Sequence, residues 1–325
     1  MRLLIASLLA LISACSANAS KAESVPPASK LRCIVPAKPG GGMDLTCQLI
    51  RSSLQQIDQS ETQIQYLPGG VGAVAWNTVL TQHKQASNTL VAFSGGSLLN
   101  IAEGKFGRAD IKQVRWLAAL GADYGMIAVK HDSPYRNLTE LMQALKKNPE
   151  HLTIAAGGTV GSQDWIKMAY LAQFAGIDSR SLKIVAFEGG GESFTALQAN
   201  HVQIVSGDIS EASWHAQHGK IRVLAVFAEQ RLPGALQHIP TAKEQGYALS
   251  WPVIRGVYMP PQISDAEYAF WVQQFERYLH HPAYQQQLEK YGLFPFSLTG
   301  AALQSYLDKT MQQYRQQAQQ LGLIR

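Results

Sequence analysis

Short apolar runs alternate with longer amphipathic runs along most of the chain. Runs such as LRCIV, TLVAF, LTIAA and LKIVAF have the length and the β-branched content of buried strands. Between them, apolar positions repeat at helical spacing, for example over residues 45–57, 73–81, 165–174 and 209–217. This alternation predicts an α/β fold with mostly parallel sheets, followed by a helical region from residue 264 to 321.

The first 19 residues have the composition of an export signal. Arg2 precedes an apolar run over residues 3–12, which is too short to span a membrane. Two processing outcomes stay open: signal cleavage after residue 19, or lipid attachment to Cys15 in ISAC, which would remove residues 1–14. Either outcome predicts an exported protein, with residues 20–29 as a flexible leader.

Length and charge bound the domain count and the class of partner. The 325 residues exceed the usual size of a single hydrophobic core, so we expect two domains. The formal net charge of +5 slightly favours small anionic ligands. Because no run of basic residues is present, nucleic acid is not expected as a partner.

Two cysteines, Cys33 and Cys47, flank the first predicted turn. In an oxidising compartment such a pair predicts a disulfide, which would tie the first strand to the first helix. Two separately buried thiols are the alternative, since cysteine is common in protein cores.

Five predicted strands end in glycine turns. Ligands of open α/β sheets bind beyond the carboxyl ends of the strands, where glycine admits a close approach and the next helix offers free N–H groups. One such turn needs no ligand, because glycine often serves simply to turn the chain, but five together predict a cavity that holds an anion. The turns are Gly40-Gly41-Gly42, Gly69-Gly70 with Gly72, Gly95-Gly96, Gly157-Gly158 with Gly161, and Gly189-Gly190-Gly191.

The sequence lacks the motifs of common enzyme sites. GGVGAVA at residues 69–75 fits a dinucleotide fingerprint, but no acidic residue follows at the distance needed to bind the ribose. The sequence has no P-loop, no nucleophile elbow and no cysteine or histidine group with the spacing of zinc ligands. We therefore predict a binding protein without catalytic residues, cofactor or metal.

Several motifs, in this order, resemble the extracytoplasmic solute-binding proteins of tripartite tricarboxylate transporters. The family pattern P-x-x-P-G-G-x-x-D is similar to PAKPGGGMD at residues 36–44, a second turn reads PGGVG, and PTAKEQG resembles the late PT-x-x-E-x-G turn. The exact residues within and around these motifs are most similar to the tricarboxylate branch of the family, as in CIVPAKPGGGMDLTC, AFSGGSLLNIAEGKFG and WPVIRGVY. The sequence TVGSQDW departs from the family, where many members carry Gly-Thr followed by histidine.

The resemblance implies a two-lobed periplasmic-binding-protein fold that is similar to type II, with ligand bound in the cleft between the lobes. Each lobe would be a mostly parallel sheet flanked by helices. Residues 30–123 and 252–325 would form the first lobe, and residues 124–251 the second. The protein would act as a monomer in the periplasm and pass its ligand to the membrane permease subunits of the transporter.

The ligand that the resemblance implies is citrate or a related tricarboxylate. Main-chain N–H groups would bind its carboxylates, hydroxyls and Gln163 would bind the remaining oxygens, and acidic side chains would cap helices, orient turns or accept a ligand hydroxyl. The expected ligand-binding residues are Lys38, Gly40, Gly41, Gly42, Asp44, Gly70, Val71, Gly72, Ser94, Gly95, Ser97, Gly158, Thr159, Gly161, Ser162, Gln163, Glu188, Gly189, Gly190, Gly191, Asp208 and Arg255.

Arg255 is expected to supply the positive charge for the third carboxylate of citrate, because a guanidinium is always charged and can bind a carboxylate through two parallel bonds. Lys38 is the competing candidate for this role. Alternatively, Arg255 pairs with an acidic residue at the hinge and never meets ligand. Two other functions stay open: a carboxylate-sensing receptor that acts through a sensor kinase, and an exported enzyme that uses Ser162 with a nearby histidine.

Overall fold

The computed structural model describes residues 30–324, so the predicted export signal and leader lie outside the described residues. The strands are β1 (Lys30–Val35), β2 (Glu61–Tyr66), β3 (Thr89–Ser94), β4 (Arg115–Lys130), β5 (Ile154–Gly157), β6 (Ile184–Phe187), β7 (Ile204–Asp208), β8 (Ile221–Val226), β9 (Pro252–Met259) and β10 (Leu298–Thr299). The α-helices are α1 (Gly42–Asp58), α2 (Ala73–Thr81), α3 (Gly95–Ala102), α4 (Leu138–Lys147), α5 (Gln163–Phe174), α6 (Gly190–Gln198), α7 (Ile209–Gln217), α8 (Asp265–Leu279), α9 (Pro282–Lys290) and α10 (Gly300–Gln320). Within this part of the chain, no helix is long and apolar enough to cross a membrane.

Strand β4 belongs to two sheets and joins them. The first sheet has the order β2-β1-β3-β9-β4, with β10 beside β4, and the second has the order β4-β7-β5-β6, with β8 beside β4. The partner of β4 changes within two residues, because Tyr124 pairs with Pro252 of β9 and Gly125 pairs with Asp208 of β7. This change supports lobe boundaries at residues 123/124 and 251/252, which remain a proposal.

Both sheets are mixed, with parallel strands on the outside and antiparallel strands at the junction. Strands β1, β2 and β3 are parallel, as are β5, β6 and β7. Strand β9 is antiparallel to β3, and β4 is antiparallel to β7 and β9. The reason is that each crossing strand enters a sheet from the edge at which the parallel strands end, so it must run in the opposite direction.

Alternate residues of the strands pack into separate cores on the two faces of each sheet. In β1, Leu31, Cys33 and Val35 face the core under α1, α8 and α9, while Ile34 faces the core under α2, α3 and α10. The second sheet is covered by α4 and α5 on one face and by α6 and α7 on the other. Helices therefore cover both faces of each sheet, and the exposed strand positions lie mainly on the outer edge strands β2 and β6.

The structure joins Cys33 of β1 to Cys47 of α1 in a disulfide, so the predicted pairing is confirmed. Their Cα atoms lie 5.7 Å apart, and neither residue is exposed. Because the bond spans the first glycine turn, it fixes the start of α1 against the strand that precedes it.

We expect reduction of this disulfide to lower the free energy of unfolding by up to ~3 kcal/mol, because a cross-link of this length restricts the unfolded chain. Urea unfolding with and without reductant measures the difference. A double variant, Cys33→Ala with Cys47→Ala, is the control, since its transition should not respond to reductant. A transition of the wild-type protein that is unchanged by reductant would contradict a stabilising disulfide.

Candidate functional site

Five helices begin at one cavity between the two lobes. Their N-caps or first turns reach the cavity from the first lobe (α1 and α3) and from the second lobe (α5, α6 and α7), around a volume of about 100 Å³. Helix N-termini carry unpaired N–H groups and a partial positive charge, so this convergence favours an anion. The cavity is lined by Pro36, Ala37, Gly41, Gly42, Met43, Val71, Ser94, Gly96, Ser97, Asn100, Gly157, Gly158, Ser162, Gln163, Asp164, Glu188, Gly189, Gly190, Asp208, Glu211 and Arg255.

The structure brings many of the predicted site residues to this cavity, from all five glycine turns. Whether each of them binds ligand stays a prediction. The predicted residues that line the cavity are Gly41, Gly42, Val71, Ser94, Ser97, Gly158, Ser162, Gln163, Glu188, Gly189, Gly190, Asp208 and Arg255.

The other predicted residues support the lining from behind or lie outside it: Lys38, Gly40, Asp44, Gly70, Gly72, Gly95, Thr159, Gly161 and Gly191. Lys38 lies outside the lining, and its half-exposed amine contacts Glu192 at 2.6 Å. Gly95 packs under Tyr314, and Gly161 packs against Glu103 and Leu323. Gly95 and Gly161 therefore pack against other parts of the protein and do not line the cavity.

The N–H groups of the first glycine turn are partly used by the protein itself. Asp44 accepts a hydrogen bond from Gly40 N–H at 2.8 Å and another from Tyr66 Oη at 3.0 Å, which fixes the turn as expected for an orienting acid. Gly42 N–H donates to Oε1 of Glu211 at 2.6 Å, from the opposite lobe. A ligand carboxylate therefore meets a protein carboxyl group already at the start of α1.

Arg255 lies at the junction of the lobes and is paired within the protein. Its guanidinium donates to Asp123 at 2.7 Å and to Asp208 at 2.8 Å, and all three residues are almost fully buried. Asp123 also accepts from the Ser210 hydroxyl at 2.5 Å. The expectation that Arg255 offers a spare positive charge to a third carboxylate is thus not supported, because two aspartates already neutralise it.

Lys167 extends the same network into the second lobe. Its buried amine contacts Asp164 and Asp208 at 2.7 Å each and donates to the carbonyl of Gly207. Gln163 donates to Asp208 at 2.8 Å. The network therefore links β4, β7, β9 and α5 and forms a polar floor of the cleft.

Glu211 is a site residue that sequence reasoning missed. It lies in the first turn of α7, where an acidic residue ordinarily serves the helix N-terminus, so the sequence alone offers no reason to place it in the cleft. Its carboxyl group instead reaches across to α1 and α6.

The floor of the cleft holds more acidic than basic groups among the described residues. Asp123, Asp164, Asp208 and Glu211 surround Arg255 and Lys167. Burial raises the pKa of Asp123 and of Asp164. Although burial alone would raise it, the charges of Lys167 and Arg255 hold the pKa of Asp208 below its ordinary value.

Glu211 also has a perturbed carboxyl group. Burial, together with the neighbouring charge of Asp208, raises the pKa of Glu211 to about 8. Among residues 30–324, both cations at the floor of the cleft are paired with aspartates, so the attraction of the cleft for anions comes from the helix N-termini.

The chain is similar to a known family of transport receptors. A model of the tripartite tricarboxylate transporter family receptor matches residues 104–323, which is more than half of the chain. The chain belongs to this family. It is therefore a solute-binding receptor, and not an enzyme.

Individual relatives agree with this assignment. A UPF0065 protein of Bordetella pertussis is 24% identical over 98% of this chain and 96% of its own length. The periplasmic binding protein BugD superposes with a TM-score of 0.80 at 17% identity, over 90% of this chain and 98% of its own. MatC (Rpa3494) from Rhodopseudomonas palustris, with bound malate, has a TM-score of 0.76 at 19% identity, over 89% of this chain and 99% of its own. The two solved structures show the two-lobed fold.

We expect Gly42→Ala to destabilise this receptor, because a Cβ atom at position 42 would overlap the guanidinium of Arg255. Arg255 cannot move aside without breaking its bonds to Asp123 and Asp208, so the cost should reach about 1–3 kcal/mol. Chemical unfolding measures it.

Gly41→Ala is the matched control for this prediction. Gly41 has an ordinary φ of −97°. A Cβ atom added at position 41 would lie 3.5 Å from its nearest neighbour, the backbone nitrogen of Gly190, which is a normal contact distance. Equal unfolding free energies for the two variants would show that the guanidinium does not fill the space beside Gly42.

Proposed function

We propose that this receptor captures a small carboxylic acid in the cleft, closes its two lobes over it, and delivers it to the permease of a tripartite tricarboxylate transporter. One observation carries the proposal: five helix N-termini from two lobes meet at one cavity. Because a single small anion can satisfy donors from both lobes, binding favours the closed arrangement.

The closed arrangement is also supported by contacts between the lobes around the cavity. Lys38 of the first lobe pairs with Glu192 of the second, and the Lys105 amine donates to the carbonyl of Val160 at 2.9 Å. These contacts are exposed and individually worth little, about 0–1 kcal/mol for an ion pair of this kind. A ligand that binds groups of both lobes therefore adds to the free energy that keeps them closed.

The charged groups at the floor of the cleft bear on how many carboxylates the ligand can carry. The sequence resemblance favours citrate or another tricarboxylate. The pairing of Arg255 with Asp123 and Asp208 favours an acid with fewer charges, because each further carboxylate must be bound without a free cation. MatC, which has this fold, holds the dicarboxylate malate. We therefore rank four-carbon dicarboxylates ahead of citrate as ligands.

The proposed place of action is the periplasm, in accord with the export signal predicted at residues 1–19. Attachment to the membrane through a lipid on Cys15 remains a prediction from the sequence. A receptor at either location would hold its ligand beside the permease, which then carries it across the membrane.

We expect malate or succinate to stabilise the purified receptor more than citrate does. A ligand at ~100 times its dissociation constant adds ~2.7 kcal/mol to stability, which produces a visible rise in melting temperature. Thermal unfolding in the presence of malate, succinate, adipate and citrate measures the rank, and small-angle scattering measures the compaction on binding.

Dimethyl succinate is the control, since it keeps the carbon chain and lacks the charges, and it should leave the melting temperature unchanged. A protein that is stabilised by none of the acids would contradict the proposed function. Stabilisation by citrate alone would keep the receptor function and reverse the ranking of its ligands.

A further inference from the structure

Glu211 forms a hydrogen bond between the two lobes. It lies in the first turn of α7, in the second lobe, and its Oε1 accepts from Gly42 N–H, at the start of α1 in the first lobe, at 2.6 Å. Its Oε2 lies so close to Gly190, the first residue of α6, that a Cβ atom at position 190 would overlap it. The first lobe therefore covers one side of this carboxyl group, and opening of the lobes must uncover it.

The charged groups around Glu211 are mostly acidic. Helices α1 and α6 contribute main-chain atoms at this point, β9 contributes the guanidinium of Arg255, and β4, β7 and α5 contribute carboxyl groups. The amine of Lys167 lies among these acids and is paired with two of them. An ionised Glu211 would add a fourth negative charge to this buried cluster, where unbalanced charge is costly. The three aspartates of the cluster are Asp123, Asp164 and Asp208.

Enclosure between the lobes changes the acidity of Glu211. Burial, together with the charge of Asp208, raises the pKa of this carboxyl group from an ordinary value of 4.5 to about 8. When the lobes part, water reaches the side that α1 covers, and the pKa of Glu211 falls back toward its ordinary value. At neutral pH the closed arrangement therefore binds a proton that the open arrangement gives up.

We propose that the receptor takes up one proton, on the carboxyl group of Glu211, each time its lobes close over an anion. The inference rests on the proposed function and adds a proton to what the cleft captures. The proton comes from the solvent, converts the carboxylate to a carboxylic acid on closing, and returns to the solvent when the lobes open. The neutral group still accepts from Gly42 N–H, and it gains an O–H donor for a carboxylate of the ligand, because Glu211 lines the cavity.

Protonation of Glu211 removes one negative charge from the place that a ligand anion must enter. The aspartates that remain ionised are paired with Arg255 and Lys167. A ligand carboxylate beside Glu211 favours the neutral form further, since like charges repel. Proton and ligand therefore each increase the affinity of the receptor for the other.

The direction of the pH dependence follows from the raised pKa. Above about pH 8, Glu211 is ionised in both arrangements, so closing takes up no proton. Between about pH 4.5 and about pH 8 it is protonated only in the closed arrangement, and each unit by which the pH falls favours closing by up to ~10-fold. The receptor thus binds its acid more tightly as the pH falls through this range.

Calorimetry of malate binding in phosphate and in Tris buffer counts the protons, because the two buffers differ in their enthalpy of ionisation. Malate is a suitable probe, since its own carboxyl groups stay ionised near neutral pH. At about pH 7 the wild-type receptor should take up ~0.9 proton per malate, and its affinity should fall at least ~10-fold from about pH 6 to about pH 8. In Glu211→Gln the uptake should drop below ~0.2 proton, and the affinity should change less than ~3-fold over the same range.

Glu192→Gln is the matched control. Glu192 also reaches from the second lobe to the first, where it contacts the Lys38 amine at 2.6 Å, but the hydrogen bond from Lys38 lowers its pKa, so it stays ionised near neutral pH. This variant should take up as many protons as the wild-type receptor. His215, which also titrates near neutral pH, stacks against Phe194 within the second lobe and is present in both variants.

The outcomes separate this inference from the proposed function. Malate bound without proton uptake by the wild-type receptor, or an uptake in Glu211→Gln equal to that of the wild type, would overturn the role of Glu211 and leave the receptor function intact. If malate does not bind, succinate and adipate replace it in the same buffers. A receptor that binds none of these three acids contradicts the proposed function itself, and the proton uptake with it.

Discussion

The buried pairing of Arg255 with Asp123 and Asp208 is the interaction on which the rest of the structure depends. It connects β9, β4 and β7 at the point where the chain passes between lobes. Buried charges are costly to remove from water, and such a pair is tolerated only when each oxygen and nitrogen is well bonded. Ser210, Gln163 and Lys167 supply those further bonds. The same network that joins the lobes therefore also forms the floor of the ligand cleft.

This constraint explains the chemistry of the cleft. Because its cations are paired with aspartates, the floor cannot bind an anion as a free arginine would, and attraction for carboxylates is left to the ends of helices. The paired guanidinium of Arg255 also explains the glycine at position 42, because it occupies the space that a Cβ atom there would need. Glu211 then adds an acceptor beside α1 and makes the two sides of the cavity chemically different.

The sequence predicted the parts of this architecture that depend on local pattern. Helices α2 and α7 have the predicted bounds, the disulfide pairing is confirmed, and turns far apart in sequence reach one cavity because parallel strands end at a common edge. Strands β4 and β9 run antiparallel in sheets expected to be mostly parallel, because their direction is set by the crossing between lobes and not by local periodicity. The partners of Arg255 lie 132 and 47 positions away, and no spacing rule identifies them. Glu211 was missed for the same reason, since its role depends on a contact with a distant helix.

A double-mutant cycle on Arg255 and Asp123 tests this central claim most directly. Unfolding free energies would be measured for Arg255→Gln, Asp123→Asn and the double variant. Breaking a buried pair from one side leaves an uncompensated charge and should cost about 3–5 kcal/mol in each single variant, while the double variant should lose clearly less than the sum, by at least ~1 kcal/mol. Small and additive losses would show that the pair does not hold the lobes' junction together, and would return Arg255 to the role of a free cation for the ligand.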